Sequence, residues 1–139
     1  MRKALQEAEI AYENGEIPIG AVIVIDNKII ARSHNLTELL NDVTAHAEMQ
    51  SITAAANFLG GKYLLNCTLF VTLEPCQMCA GALYWSQISK VVFGAYDVKR
   101  GFKNIGTLLH PKTTVVSGIL ENECLNLLKR FFENKRKKM

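Results

Sequence analysis

The 139-residue chain lacks the features that mark membrane and secreted proteins. Its longest apolar run, residues 17–25, contains a proline and a glycine and is far shorter than the roughly 20 residues that a membrane-spanning helix needs. Acidic side chains interrupt the N-terminal stretch where a secretory signal needs an unbroken apolar segment: Glu7, Glu9, Glu13 and Glu16. No repeat, low-complexity linker or composition break divides the chain. We therefore expect one domain over residues 1–139, in the cytoplasm and outside membranes.

Cysteine is also scarce, with four residues in the chain. Without an export signal, these thiols are expected to stay reduced. The composition, 49% hydrophobic and 21% charged, is that of an ordinary globular domain, and the length suffices to bury a core without disulfides. The closely spaced pair Cys76 and Cys79 then indicates either a metal site or a redox site.

Charge is distributed unevenly along the chain. Residues 129–139 carry six basic side chains and one acidic side chain, whereas residues 1–128 carry ten basic and twelve acidic ones. A basic C-terminal end indicates a polyanionic partner. On charge alone, a solvated helix end that keeps the protein soluble is an equally good interpretation.

Hydrophobic periodicity and turn residues predict alternating helices and strands. Helices are predicted over residues 2–14, over 45–58 with Thr44 as the cap, from Pro75 to about residue 85, and over about 121–134. Strands are predicted over residues 21–25, 28–32, 68–73, 91–95 and 113–116. A tight Asp26-Asn27 turn joins the first two strands, and residues 34–44 and 96–110 are predicted to be irregular loops. A hairpin followed by strand–helix–strand alternation favours an α/β fold, a three-layer α/β/α arrangement with a five-stranded mixed sheet and helices on both faces.

Three side chains have the types and spacing of zinc ligands. Cys76 and Cys79 are three residues apart, so both sulfurs project from one face of a helix, in the first turn where the helix dipole favours thiolates. His46 can join them if the two helices begin side by side at the same edge of the sheet. The hypothesis is a metal site of His46, Cys76 and Cys79.

The remaining candidates for a fourth ligand are two cysteines and two histidines. Cys124 lies on the apolar face of the last predicted helix and Cys67 at a strand start, so both are expected to pack in the core. His34 and His110 lie in polar segments and are interpreted as surface residues. An open site with one position for water is therefore favoured over a closed structural site.

Glu48 lies two residues after His46 and is the candidate acid–base group. A carboxylate beside an activated water can take its proton and pass it to a substrate. Taken alone, Glu48 has a simpler interpretation, because glutamate is favoured near helix N-termini without any catalytic role. The combination of His-x-Glu with Pro-Cys-x-x-Cys 28 residues later is far more specific.

These motifs resemble those of the zinc-dependent cytidine and deoxycytidylate deaminase superfamily. The chain is more closely similar to the bacterial tRNA-specific adenosine deaminases, over about residues 2–136. The matching stretches are Gly15-Glu16-Ile17-Pro18-Ile19-Gly20-Ala21-Val22, Thr44-Ala45-His46-Ala47-Glu48, Val71-Thr72-Leu73-Glu74-Pro75-Cys76-Gln77-Met78-Cys79-Ala80-Gly81-Ala82 and Val92-Phe93-Gly94-Ala95 with Asp97.

The resemblance implies a fold, a reaction and a set of contacts. The fold would be cytidine deaminase-like. One zinc ion on His46, Cys76 and Cys79 would supply hydroxide for attack on C6 of a flipped-out adenine, and Glu48 would protonate N1 and then the departing amine, converting adenosine to inosine at the wobble position of a tRNA anticodon. The protein would be a homodimer that binds the anticodon stem-loop. The substrate contacts implied are Asn35, the backbone of Ala47, Pro18, Val71, Leu73 and Asp97, with strand core as an equally simple interpretation of Val71 and Leu73.

The sequence also departs from this family at positions that concern the substrate surface. Val43 replaces the usual proline, Thr37 stands where an arginine is common, and the segment 106–118 is shorter than usual. The pair Tyr84-Trp85, which follows the second motif, resembles the corresponding residues of guanine deaminases in the same superfamily. The alternative function is therefore a deaminase of free bases or nucleosides, of guanine or cytosine type; non-catalytic zinc-binding and redox modules leave Glu48 unexplained.

Overall fold

The structure is a computed structural model, and it describes residues 1–138. Within them the chain forms ten elements, in the order α1 (Arg2–Glu13), β1 (Gly20–Ile25), β2 (Lys28–His34), α2 (Ala47–Leu59), β3 (Thr68–Leu73), α3 (Gln77–Ser86), β4 (Lys90–Ala95), α4 (Phe102–Ile105), β5 (Thr114–Val116) and α5 (Glu121–Lys137). The predicted alternation of helices and strands is confirmed.

One mixed sheet of five strands forms the middle layer, in the order β2-β1-β3-β4-β5. β1 is antiparallel to β2 and β3, while β4 and β5 continue parallel to β3. Asp26 and Asn27 both have positive φ, 50° and 62°, as a tight hairpin turn requires. Because β3 and β4 are parallel, the segments that follow them leave the sheet at the same edge.

Helices cover both faces of the sheet, as the sequence predicts. α2 and α3 pack on one face around the larger apolar core, and α1 and α5 pack on the other. Gly20 allows α1 to lie directly on β1, because a Cβ atom there would lie 2.0 Å from the carbonyl oxygen of Ala4. The layers leave the N-terminal ends of α2 and α3 adjacent.

The helix starts differ from the prediction at two places that matter for the site. α2 begins at Ala47, with His46 in extended geometry as its N-cap, and the hydroxyl of Thr44 donates to Asp42 instead of capping the helix. α3 begins at Gln77, with Cys76 as its N-cap, rather than at Pro75. Both shifts arise because the backbone before each helix pairs with neighbouring segments, an interaction that local sequence does not encode.

Smaller corrections concern the loops. The segment predicted as irregular contains α4, and α5 extends past residue 134 to Lys137. His34 ends β2, and its Nδ1 lies at hydrogen-bond distance, 2.9 Å, from Oε1 of the buried Glu7, so its interpretation as a surface loop residue is wrong. Cys67 and Cys124 lie in the core, as expected. No helix among residues 1–138 is long and apolar enough to cross a membrane.

Candidate active site

The adjacent starts of α2 and α3 bring three potential metal ligands together. His46 is the N-cap of α2, Cys76 is the N-cap of α3, and Cys79 lies in the first turn of α3. Within the described part of the chain, they are the one group of three or more His, Cys, Asp or Glu side chains whose ligand atoms converge, all within 4.8 Å of one another. The parallel β3–α3–β4 unit and the neighbouring α2 therefore build the site.

The distances within this group match a tetrahedral metal site. Nδ1 of His46 lies 3.7 Å from Sγ of Cys76 and 3.5 Å from Sγ of Cys79. Zinc–sulfur bonds of about 2.3 Å and zinc–nitrogen bonds of about 2.0 Å, at tetrahedral angles, place nitrogen and sulfur ligands about 3.5 Å apart. The residues present therefore fit zinc with three protein ligands.

The electrostatics of the two thiols also fit a cation. A hydrogen bond from Cys79 is the largest cause that lowers the pKa of Cys76, to about 4, and His46 adds to it. The pKa of Cys79 is raised by the same pairing and by burial. One thiolate thus forms readily, whereas the second requires a nearby cation to offset its charge.

Side chains behind the site hold the backbone that carries His46. The side-chain amide of Gln50 donates to the carbonyl oxygens of His34 (2.8 Å) and Ala45 (3.1 Å). The hydroxyl of Ser33 donates to the carbonyl oxygen of Ala47 at 2.7 Å. These bonds join the start of α2 to the end of β2, so the imidazole position is fixed by the sheet.

Glu48 is the carboxylate beside the three ligands. It lies in the first turn of α2, is 4% exposed and lines a cavity that also contains His46 and Cys76. Burial is the main cause that raises the pKa of Glu48 to about 7, and the nearby Cys76 acts in the same direction. A carboxyl group with such a pKa can both accept and donate a proton at neutral pH.

The cavity has a volume of about 660 Å³ and opens from the ligand group toward α5. Four of the six predicted substrate contacts line it, namely Asn35, Ala47, Leu73 and Asp97. Pro18 and Val71 do not line it; both are fully buried, and Val71 packs in the core under α2 and α3. The strand-core interpretation therefore describes where Val71 lies.

Several lining residues were missed by sequence reasoning. They come from the loop after β4 and from one face of α5: Tyr96, Lys99, Arg100, Lys129, Phe132 and Arg136. Lys129, Phe132 and Arg136 recur at helical spacing of three and four residues, which is a signal of one shared face. Only the folded chain shows that this face borders the ligand group.

Comparisons with known proteins agree with this arrangement. The model of the MafB19-like deaminase family matches residues 1–136. The chain is 50% identical to the tRNA-specific adenosine deaminase of Bacillus subtilis (strain 168), over 99% of this chain and 89% of that protein. A structure solved in studies of A-to-I editing by tRNA:A34 deaminases at the wobble position of transfer RNA has a TM-score of 0.83 at 44% identity, over 91% of this chain and 96% of that one.

A guanine deaminase from Bacillus subtilis is also similar, with a TM-score of 0.63 and 38% identity over 76% of this chain and 64% of that chain. Fold and site together thus define a nucleobase deaminase with a three-layer α/β/α architecture. The chain belongs to the MafB19-like deaminase family and to the tRNA-specific adenosine deaminases.

Proposed function

We propose that this protein is a zinc-dependent hydrolytic deaminase that converts adenosine to inosine at the wobble position of a tRNA anticodon. The observation that carries the proposal is the placement of Glu48, a buried carboxylate, beside the His46–Cys76–Cys79 group at the inner end of a cavity. Its curated relatives, named as tRNA-specific adenosine deaminases, support the same substrate.

One zinc ion per chain, held by His46, Cys76 and Cys79, would supply a Lewis acid that lowers the pKa of a water molecule at the open position. The chain itself moves the protons. Glu48 takes a proton from the attacking water and delivers it to N1 of adenine while oxygen bonds to C6. Glu48 then takes the remaining proton from the new hydroxyl group on C6 and delivers it to the exocyclic amine. The C6–N bond breaks as the C6 carbonyl forms, and ammonia leaves inosine behind.

The contacts around the base follow from the residues that line the cavity. Asn35 accepts a hydrogen bond from the backbone of Thr37 through Oδ1, which leaves its amide nitrogen to donate to the nucleoside. The backbone of Ala47 meets the base and Leu73 packs against it. The carboxylate of Asp97 accepts from the backbone N–H groups of Lys99 and Arg100 and so shapes the loop near the ribose and the flanking nucleotide.

Pro18 and Val71 are proposed to support the pocket from behind, since both are fully buried and lie within two residues of the lining residues Ile17 and Leu73. We further propose that residues 1–139 act as one deaminase domain in the cytoplasm, where tRNA is available. A homodimer is supported by exposed apolar side chains beside α3: Trp85 and Leu108 are 77% and 78% exposed, and the rings of Tyr84 and His110 lie 5.8 Å apart.

The direct test is incubation of the purified protein with tRNA transcripts and, separately, with guanine, cytosine and adenosine. We expect ammonia release and inosine at the wobble position with the transcript that carries adenosine there. Release from guanine or cytosine, with no inosine in any transcript, would support the alternative of a free-base deaminase.

Zinc affinity is expected to fall as the pH is lowered. His46 binds metal only when Nδ1 is unprotonated, and its hydrogen bond with Cys76 is the main cause that raises its pKa above the ordinary 6.5. Proton competition at His46 therefore begins at a higher pH than for an ordinary histidine and adds to the competition at Cys79, whose thiol pKa is raised. Affinity drops by about tenfold per pH unit for each proton displaced, so the slope should steepen as His46 becomes protonated. Competition with a chelator at several pH values from 8 to 5 measures this slope.

The matched control for that titration is His110→Gln, which removes a histidine outside the ligand group and should leave the slope unchanged. A slope of affinity against pH that does not steepen between pH 8 and 5 would exclude His46 as a ligand, since only thiol protons would then be displaced.

The basic face of α5 is expected to bind RNA phosphates. Truncation after Asn134 removes Arg136, which lines the cavity, and three further lysines. RNA affinity should fall and its dependence on salt should flatten, because fewer counterions are released on binding. Filter binding of an anticodon stem-loop at several salt concentrations measures both effects, while zinc content stays at the level of the full chain.

Two point variants separate position from total charge. Arg136→Gln removes a charge beside the cavity and should reduce the salt slope by about one. Lys137→Gln removes the same charge from a residue that does not line the cavity and should change the slope less. Equal effects would mean that the tail acts only through its overall charge.

A further inference from the structure

Two irregular segments border the cavity, and each is fixed by a buried carboxylate that the deamination chemistry does not use. Residues 35–46 lead from β2 to α2, and residues 96–101 lead from β4 to α4. The carboxylates belong to Glu16, which is 1% exposed, and Glu74, which is 4% exposed. Burial of a carboxylate is costly unless its oxygens are hydrogen-bonded, so their partners matter.

Glu74 joins the end of β3 to the loop after β4. Its Oε1 accepts from the backbone N–H of Asp97 at 3.1 Å, and its Oε2 accepts from the backbone N–H of Lys103 at 3.0 Å. Gly101 packs so closely on this carboxylate that a Cβ atom would lie 2.3 Å from Cδ of Glu74. The turn that carries Asp97, Lys99 and Arg100 is therefore built around Glu74.

Glu16 performs the same task on the other side of the cavity. It lies in the segment between α1 and β1, and its two oxygens accept from the backbone N–H groups of Glu38 (3.0 Å) and Leu39 (2.8 Å). The neighbouring Asn35 and Thr37 line the cavity. Glu16 thus holds its loop by two backbone hydrogen bonds, and Glu74 holds the other loop by one bond at Asp97 and one at Lys103 in the adjoining α4. Glutamine cannot reproduce either arrangement because it has a single acceptor oxygen.

We propose that Glu16 and Glu74 are positioning residues that set the shape of the cavity entrance and thereby the affinity for the RNA around the target adenosine. The inference rests on the proposed function, because it assigns these residues to the RNA-binding part of the same site. His46 and Glu48 are held apart from both loops by the start of α2, with Gln50 and Ser33 behind it, and the loop after β4 touches the ligand group only where Gly101 pairs with Cys76. Loosening a loop should therefore weaken binding more than the chemical step.

The test compares Glu16→Gln and Glu74→Gln with Glu13→Gln, which removes the same charge from an exposed position on α1. The probe is an anticodon stem-loop RNA with adenosine at the wobble position. We expect KM and Kd to rise by about tenfold in each of the two buried variants, since a buried N–H loses its acceptor, while kcat changes by less than about twofold. Zinc content should equal that of the unmodified protein.

Gly101→Ala is the second variant, because the added methyl group would lie 2.3 Å from Cδ of Glu74 and 2.5 Å from the carbonyl oxygen of Asp97, and so disturbs the Glu74–Asp97 contact without changing any charge. It should raise KM and Kd like Glu74→Gln, and the double variant should be no worse than either single one, since both act on the same contact. Kd and KM values equal to those of Glu13→Gln, or a loss confined to kcat, would overturn the proposal. Absence of inosine with the unmodified protein would instead refute the proposed function, and Kd for the same RNA would still decide the role of the two carboxylates.

Discussion

Replacing Glu48 with alanine should reduce kcat for inosine formation by about 10,000-fold while zinc content and fold stay intact. The size of the loss follows from the two proton transfers assigned to one side chain, each of which is worth a large factor in general acid–base catalysis. Metal binding should survive because the three ligand atoms lie on His46, Cys76 and Cys79, and the Glu48 carboxylate is not among them. Inosine formation from a tRNA transcript, measured beside zinc content, checks both parts.

Glu48→Gln is the matched control, because it keeps the size of the side chain and removes its capacity to shuttle protons. Its kcat should be as low as that of the alanine variant. Burial raises the pKa of Glu48 from the ordinary 4.5 to about 7, because the charged carboxylate is disfavoured in the folded protein. Glu48 therefore lowers the unfolding free energy progressively as the pH rises from 4.5 to 7. At pH 8, the glutamine variant should therefore unfold at the same temperature as the unmodified protein or at a higher one. Turnover retained by either variant would refute the proton-transfer role.

Cys79→Ala is expected to abolish zinc binding, activity and part of the stability together. Cys79 is fully buried and its sulfur lies 3.5 Å from Nδ1 of His46. Its removal leaves only His46 and Cys76 to bind the metal. Metal binding stabilises only the folded state, and the variant should lose at least about 3 kcal/mol of unfolding free energy relative to the zinc-loaded protein. Elemental analysis and thermal unfolding with and without a chelator measure the effect.

Cys67→Ala provides the comparison, since Cys67 is equally buried but packs in the core away from the ligand group. It should retain one zinc and lose about 1 kcal/mol from packing alone. A chelator should lower the unfolding temperature of this variant and of the unmodified protein, but not that of Cys79→Ala. Normal zinc content in Cys79→Ala would show that the ligand set is wrong.

The sequence predicts the sheet and the ligand group because their signals are local. Strand alternation, the Asp26-Asn27 turn and the spacing of His46, Cys76 and Cys79 are all readable within short windows. The caps of α2 and α3 were predicted wrongly because Thr44 and Pro75 have good local propensities that pairing with neighbouring segments overrides. Propensity is a weak guide wherever tertiary contacts decide the helix start.

The walls of the cavity were less predictable than its inner end. The Lys129–Phe132–Arg136 face of α5 lies more than 80 residues beyond His46 in the sequence, and no local pattern indicates which element this face borders. Val71 and Leu73 illustrate the same difficulty within one strand. Side chains two residues apart usually share a face, yet Val71 packs in the core under α2 and α3, whereas Leu73 packs against the cluster that contains Ala95 and Cys124 and lines the cavity.

The central claim is that three protein ligands hold a metal ion and leave one position open beside Glu48. Zinc K-edge X-ray absorption on the purified protein tests it most directly, together with the metal stoichiometry. We predict one zinc per chain with two sulfur ligands at about 2.3 Å and two nitrogen or oxygen ligands at about 2.0 Å, of which one exchanges with solvent. A spectrum that requires four protein ligands, or a protein that binds no transition metal at all, would contradict the account.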